Sequence, residues 1–413
     1  MRHRRYVFCA FLLAVTLAGL PLGPVTPAAQ SARPIVVVVS IDGWRWDYLE
    51  RFRPPAIGRL ALRGVRAEGL VPVFPSKTFP NHYTIVTGQY PQRHGIISNS
   101  IVDPALPGRF TLSNRSVQQD TRWWGGEPLW ITAERQGLIA ATMFWPGSDA
   151  EIAGRRPTYW RTYEDELPNE ARVDQLVGWL KQPEDVRPTF LTLYFSTVDN
   201  AGHDFGPESP ELQDAVRQVD EVIARLAAGV DAAGLTARTN FVLVSDHGMA
   251  ALSRDRLIVL DDYLDMSTVD LVDSSPVVTM NPRSGSADAL YAALKDKHAA
   301  LEVFGRESVP PQYRLRDHPR LPAVIGVADD GWHVMTRAAL AREKGGFPGG
   351  THGYDPKHRS MHGLFIAAGP QFRSGVVVPA FENVHVYELL CRVLALQPGS
   401  NDGDAAVTAA LLR

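Results

Sequence analysis

Three aspartates and three histidines fall where the chain leaves apolar runs. Ile35-Val36-Val37-Val38-Val39 leads into Ser40-Ile41-Asp42-Gly43, and a later run leads through Ser196-Thr197-Val198-Asp199 to Asn200-Ala201-Gly202-His203. A third run ends in Ser245-Asp246-His247-Gly248, and Gly349-Gly350-Thr351-His352-Gly353 is a separate glycine-rich loop. Each place offers a carboxylate, an imidazole or both, beside glycine that permits close backbone approach. Asp199 and His203 are four residues apart, so one helical turn puts them on one face. Asp246 and His247 are adjacent and converge only if the backbone after the strand is irregular. Oxygen and nitrogen donors without thiolate suit zinc, with manganese and iron as alternatives. Three aspartates and three histidines are enough for two metals, each with three protein ligands and an open position. Any one of these turns alone reads as a turn or a helix cap. Their coincidence at strand and loop ends is what points to metal chemistry.

A second group is Phe74-Pro75-Ser76-Lys77-Thr78-Phe79-Pro80-Asn81-His82. Pro80 suits the first turn of a helix that continues through Asn81 to Gly88. Thr78 then stands at the N-terminal end, where free N–H groups and the helix dipole favour an anion. A hydroxyl there, next to a divalent metal, can act as a nucleophile. The competing reading is a threonine N-cap, which spacing alone favours.

These residues need elements to position them. Apolar runs start at Ile35 and recur at 139–144, 189–195, 240–245 and 364–368. They are nearly continuous, the pattern of strands buried on both faces. Helical patterns lie between them at 54–63, 128–136, 173–181 and 210–228. Strand, helix, strand in this order predicts an α/β fold with a largely parallel central sheet covered by helices on both faces. In such sheets ligands collect outside the carboxyl ends of the strands. Regions 100–128 and 262–345 read as loop-rich insertions within a single catalytic domain over 33–413.

The 413 residues carry 42 Lys and Arg against 45 Asp and Glu, a net charge of −3, with 45% hydrophobic and 21% charged residues. These are ordinary globular values, and they exclude a disordered chain or a multi-span membrane protein. No basic stripe marks a protein built for duplex nucleic acid. Residues 1–32 read as a signal peptide: Arg2, Arg4 and Arg5 precede an uncharged apolar run from Val7 to Leu22, then prolines and small residues. The run is short for a membrane span, so the expectation is an exported protein, periplasmic or secreted, without a span once the signal is removed. Cys391 alone then remains, in a helical apolar pattern, so no intramolecular disulfide can form.

The chain resembles the nucleotide pyrophosphatase/phosphodiesterase family of the alkaline phosphatase superfamily, in its bacterial single-domain form. The resemblance rests on Val39-Ser40-Ile41-Asp42-Gly43, Lys77-Thr78-Phe79-Pro80-Asn81-His82-Tyr83, His94-Gly95-Ile96-Ile97 and Phe144-Trp145-Pro146-Gly147-Ser148-Asp149. It continues through Asp199 to Gly202-His203, Asp246-His247-Gly248-Met249 and Thr351-His352-Gly353-Tyr354. These blocks follow the family's order across residues 34–400. The resemblance implies an alkaline-phosphatase-like fold and two Zn²⁺ per chain. It implies Asp199, His203 and His352 on one zinc and Asp42, Thr78, Asp246 and His247 on the other, with Thr78 as nucleophile. It further implies Asn99 on a non-bridging phosphate oxygen. Phe79 and Tyr194 match a pair of rings that sandwich a nucleobase, and Tyr163 and Leu112 match the rest of that pocket.

The implied reaction is hydrolysis of nucleotide phosphodiester or pyrophosphate bonds to nucleoside 5′-monophosphates through a phospho-threonine. A choline-headgroup phosphodiesterase of phospholipase C type would use the same metals and differ only in the pocket. A non-catalytic nucleotide-binding protein is the reading from another class, and the intact nucleophile argues against it.

Overall fold

The computed structural model describes residue 1, residues 33–343 and residues 346–413. Arg33–Arg413 cluster as one compact unit. The signal-peptide run lies outside the described residues. Among the described residues no helix is long and apolar enough to cross a membrane.

The strands of the two larger sheets are, in chain order, β1 (Ile35–Ile41), β2 (Val65–Ala67), β3 (Ala140–Met143), β4 (Tyr159–Arg161), β5 (Phe190–Phe195) and β6 (Thr239–Val244). They continue with β7 (Val269–Asp273), β8 (Val277–Pro282), β9 (Leu301–Gly305), β10 (Val324–Ala328), β11 (Phe365–Ala368) and β12 (Val376–Val378). The main sheet has eight strands in the order β12-β2-β11-β6-β1-β5-β3-β4. All its pairings are parallel except those of β11, which runs antiparallel to β2 and β6. The largely parallel sheet expected from the continuous apolar runs is therefore present. Three short strands, β2, β4 and β12, escape sequence reading because three residues carry no usable period.

The helices used below are α1 (Pro55–Arg63), α2 (Thr78–Thr87), α3 (Leu129–Arg135), α4 (Asn169–Leu180), α5 (Thr197–Phe205), α6 (Pro210–Ala232), α7 (Ala287–Leu294) and α8 (Val386–Val393). Alternate residues of β1 feed two apolar clusters. Val36 and Val38 join Tyr83 of α2, Trp130 of α3 and Leu390 of α8. Ile35, Val37, Val39 and Ile41 join Ile57 of α1, Leu176 of α4 and Val219 of α6. Helices thus cover both faces, which is why β1 is apolar at nearly every position.

The segment expected to be loop-rich at 262–345 differs. It holds a four-stranded antiparallel sheet, β7-β8-β10-β9, with Leu290 and Leu294 of α7 packed into its apolar cluster. β7 and β9 mix buried with half-buried or exposed positions, whereas β10 is buried throughout. A search for continuous apolar runs passes over strands like β7 and β9, and the five residues of β10, interrupted by Gly326, make too short a run to stand out. Segment 100–128 is irregular as read, with two-residue strands and one-turn helices.

The sheet decides where the polar strand ends emerge. β1 lies between β5 and β6, with Ser40 opposite both Tyr194 and Val244. Adjacent strands lie about 4.8 Å apart, so Asp42, Asp246 and the start of α5 leave the sheet side by side. Behind this edge, Asp220 of α6 is buried and accepts from the backbone N–H groups of Ala56 (3.0 Å) and Ile57 (2.8 Å) at the start of α1. It caps a helix whose own N-cap, Pro54, has no capping side chain. Asp220→Ala is expected to lower stability by about 3 kcal/mol, since two bonds to a buried carboxylate are lost. Denaturant midpoints measure this, and a loss within about 0.5 kcal/mol would deny the cap its role.

Candidate active site

Gly43 follows Asp42 with φ +67°, and a Cβ there would meet Asp199 at 2.8 Å. That close approach lets the turn after β1 lie against α5. Two groups of donors result. Asp199, His203 and His352 form one, and Asp42, Asp246 and His247 the other, with one donor atom of each residue within 4.8 Å of the others in its group. The His247 and His352 rings stack at 3.5 Å between centroids, joining the groups. α5 carries Asp199 and His203 on one face, as their spacing predicts. His352 arrives on the loop after Gly350-Thr351, which pairs antiparallel with Ala250-Ala251.

The histidines are oriented from behind. Nδ1 of His203 donates to the Gly350 carbonyl (3.0 Å), that of His247 to Gly248 (2.9 Å) and that of His352 to Ser76 (2.8 Å). A carbonyl only accepts, so each Nδ1 carries the proton and each Nε2 faces the carboxylates. His247 Nε2 lies 2.9 Å from Asp246 Oδ2 and 3.3 Å from Asp42 Oδ1. His352 Nε2 lies 3.8 Å from Asp199 Oδ1. Asp42 Oδ1, Asp199 Oδ1 and Asp246 Oδ2 are buried without a hydrogen-bond partner. Lone pairs of both kinds therefore converge on shared space, which is unfavourable unless a proton or a cation lies among them. The residues present fit two divalent cations on this ground.

The protonation pattern follows from the same crowding. Burial, then the Asp246 and Asp199 carboxylates, push Asp42 well above the usual carboxylate range. Burial works to raise Asp246 as well, but the His247 and His82 imidazoles, whenever they hold a proton towards it, keep it well below. Burial, then His247 and His203, lower His352.

Thr78 opens α2, and the N-cap position belongs to Lys77 without a side-chain capping bond. The cap reading of Thr78 is thereby set aside. Its Oγ1 instead lies 3.5 Å from His247 Nε2, at the second donor group. Pro80 sits in the first turn, where its missing N–H costs nothing. Asn81 fixes the preceding turn, donating to the carbonyls of Pro75 (3.0 Å) and Lys77 (2.8 Å) and accepting from Val73 N–H (2.7 Å).

A cavity of about 360 Å³ opens beside Thr78, lined by Phe79, Leu112, Tyr163 and Tyr194 among others. Tyr194 also donates its hydroxyl to Asp42 Oδ2 (2.6 Å), so it orients a donor as well as lining the cavity. Leu112 stands exposed at the rim. Arg115 lies 4.3 Å over the Tyr163 ring. Asn99 accepts from Phe79 N–H at 2.9 Å through Oδ1, which leaves its amide N–H groups for a ligand. Sequence reading gave no role to four residues of this site, although Ser40, His82 and Asp149 stand within its matched blocks. Ser40 donates to His82 Nε2 (2.8 Å), while His82 Nδ1 serves the Thr78 carbonyl (2.9 Å) and lies 3.3 Å from Asp246 Oδ2. Asp149 and Arg115 line the cavity, and Asp149 Oδ2 is buried without a partner. The signal available for Ser40 was a polar residue inside an otherwise apolar strand.

Metal ligation needs deprotonated donors. Zn²⁺ added to metal-free protein is therefore expected to release protons, because ligation needs the Asp42 carboxylate ionised and its crowded surroundings favour the protonated form. Calorimetry in two buffers of different ionisation enthalpy reads this release. Equal heats in both would show donors already ionised before the metal enters.

The model of the type I phosphodiesterase / nucleotide pyrophosphatase family matches residues 36–355. Human ectonucleotide pyrophosphatase/phosphodiesterase family member 5 is 35% identical over 393 residues, 95% of this chain and 81% of that protein. Venom phosphodiesterase CdcPDE of Crotalus durissus collilineatus is 36% identical over 389 residues, 91% of this chain and 46% of that larger protein. The solved structure of murine ectonucleotide pyrophosphatase/phosphodiesterase 5, as an inactive threonine-to-alanine variant in complex with AMP, superposes with a TM-score of 0.87 at 34% identity. It covers 92% of this chain and 100% of that one. With this fold, these donor groups and a match spanning most of its length, the chain is a hydrolase that belongs to the type I phosphodiesterase / nucleotide pyrophosphatase family.

Proposed function

We propose that this protein hydrolyses nucleotide phosphodiester or pyrophosphate bonds and releases nucleoside 5′-monophosphates through a phospho-threonine. The observation that carries the reading is the Thr78 hydroxyl, 3.5 Å from His247 Nε2 and at the mouth of an aromatic cavity. AMP bound to the murine relative is consistent with a nucleotide in that cavity. Zinc is the proposed metal, on the mixed oxygen and nitrogen donors. Asp199, His203 and His352 would hold one ion, and Asp42, Asp246, His247 and the Thr78 oxygen the other. Bound there, the ions would offset phosphoryl charge and ease loss of the Thr78 hydroxyl proton.

The chain's own groups do the rest. Thr78 Oγ1 attacks phosphorus as the leaving oxygen departs, forming a threonine phosphodiester to the nucleoside. Water then cleaves that ester, which returns Thr78 and frees the monophosphate. The Asn99 amide is proposed to donate to a non-bridging oxygen, its Oδ1 being held by Phe79 N–H. Tyr194 holds Asp42 in position through its hydroxyl. Phe79, Tyr163 and Tyr194 are proposed as the walls of the base slot, with Leu112 at its edge. The chain is further proposed to be exported, on the strength of residues 1–32.

The phosphocholine reading meets a specific obstacle. A quaternary ammonium would need a free aromatic face, whereas the Arg115 guanidinium already lies 4.3 Å over Tyr163. A second cation at that ring face is repelled, although the Asp149 and Asp165 carboxylates also line the cavity. A flat base, which stacks as readily on a guanidinium as on a ring, is not.

Thr78→Ala is expected to cut turnover by about a thousandfold or more while zinc content and monophosphate binding persist. Thr78→Ser should keep a substantial fraction, because the chemistry needs only the oxygen. Comparable turnover in Thr78→Ala would replace the covalent route with direct attack by water. Chelation should abolish activity and Zn²⁺ restore it.

Stacking contributes roughly 1–3 kcal/mol per base. A nucleoside 5′-(4-nitrophenyl phosphate) should therefore be preferred to 4-nitrophenyl phosphocholine and to 4-nitrophenyl phosphate by about tenfold or more in kcat/KM. A phosphocholine preference would overturn the nucleotide assignment.

A further inference from the structure

Lys77, one residue before the nucleophile, is buried, and the reaction just described gives it nothing to do. Its ammonium donates to Asp273 Oδ2 (2.8 Å) and to the Ser274 carbonyl (3.2 Å). The pair is well shielded, with side chains 5% and 12% exposed. Asp273 is the last residue of β7, in the small antiparallel sheet. The same Oδ2 accepts from the Ser98 hydroxyl, and Ser98 directly precedes Asn99. Asp273 Oδ1 is taken by its neighbour's backbone, Ser274 N–H, at 2.8 Å.

Two links therefore join the segments carrying Thr78 and Asn99. On one side of Thr78, Phe79 N–H donates to Asn99 Oδ1. On the other side, Lys77 reaches Ser98 through the Asp273 carboxylate. The nucleophile and the proposed phosphate donor are bracketed by both. The strand that supplies Asp273 is itself fastened to the Asn99 segment: Ser100 Oγ donates to the Val272 carbonyl (2.6 Å), and Arg109 to the Leu271 carbonyl and Asp270 (both 2.9 Å). The stem of Lys77 also limits its neighbours, since a Cβ on Gly353 would meet Lys77 Cε at 3.2 Å, one residue beyond His352.

We propose that Asp273 is a positioning residue whose carboxylate, shared by Lys77 and Ser98, sets the distance between the Thr78 hydroxyl and the Asn99 amide. The small sheet is then part of the catalytic apparatus. It holds the two groups that must meet one phosphoryl centre from different segments. The inference rests on the roles given above to Thr78 and Asn99. Its energetic logic is geometric, since a displacement of about 1 Å at a reacting group can cost about a hundredfold in rate.

The test compares the parent, Asp273→Asn, Lys77→Met and the double variant Lys77→Met/Asp273→Leu, with a nucleoside 5′-(4-nitrophenyl phosphate) as substrate. Either single change strands a buried partner and is expected to lower the melting temperature. Replacing both charges with apolar side chains removes the stranded charge and should recover much of that stability. Positioning predicts that kcat stays about tenfold to a hundredfold below the parent in the double variant. KM should move by less than about threefold and zinc content should match the parent. Ser98→Ala should lower kcat in the same direction by a smaller factor. Recovery of parental kcat together with stability in the double variant would overturn the proposal and leave the pair a structural tie. A parent without diester turnover would instead sink the functional reading, so the two failures are distinct.

Discussion

Crowding of carboxylate and imidazole lone pairs at one edge of the main sheet governs this structure. Asp42, Asp199 and Asp246 bring oxygens without hydrogen-bond partners into a buried space. Three imidazoles are turned so that their Nε2 atoms face the same space. Such an arrangement is costly by itself, because buried charge and unpaired acceptors both oppose burial. It persists because the backbone around it is over-determined. Three parallel strands end together, α5 starts at once, and Gly43 lets the turn after β1 lie against it. Stability built elsewhere, in two apolar clusters on either side of the sheet, holds a site that would not assemble on local preference.

The turn from Ser76 to Thr78 is the second dependency. Ser76 supplies the carbonyl that orients His352, and its hydroxyl reaches the Tyr354 carbonyl at 2.8 Å. Asn81 binds the turn from inside α2, and His82 serves the Thr78 carbonyl. A single short stretch thus touches both donor groups, the nucleophile and the small sheet. Rigidity of this kind suits a reaction whose catalysis is mostly positioning and electrostatics.

The cavity beside Thr78 joins apolar walls to a few polar groups, as small-molecule sites commonly do. Its aromatic residues are not equivalent. Phe79 is packed against Phe110 and Trp124 and so has a fixed plane. Tyr194 is committed through its hydroxyl to Asp42. Tyr163 is half-buried and carries a guanidinium on its face. The cavity therefore presents stacking surfaces with donors and acceptors around them, not a cage of bare rings.

Much of this was legible in the chain itself. Unbroken apolar runs specify strands buried on both faces, and the polar residues that end them specify where chemistry can sit, because ligands collect at strand ends. The spacing of Asp199 and His203 already places them on one helical face. Other features belong to the tertiary structure alone. Nothing local says that β1 lies between β5 and β6, so the partition of six donors into two groups could not be read from spacing. His352 joins Asp199 and His203 from 149 residues beyond the latter because a short antiparallel pairing carries its loop there. Whether Thr78 caps a helix or faces His247 depends on which groups surround it, and a threonine at a helix start is compatible with both. The strands of the small sheet share no single burial pattern, β7 being partly half-buried and β10 buried throughout, so their pairing, and the reach of Asp273 to Lys77, appear only after folding. Side-chain chemistry and period are properties of neighbours in the chain, whereas the joining of distant strand ends is decided by packing across the sheet.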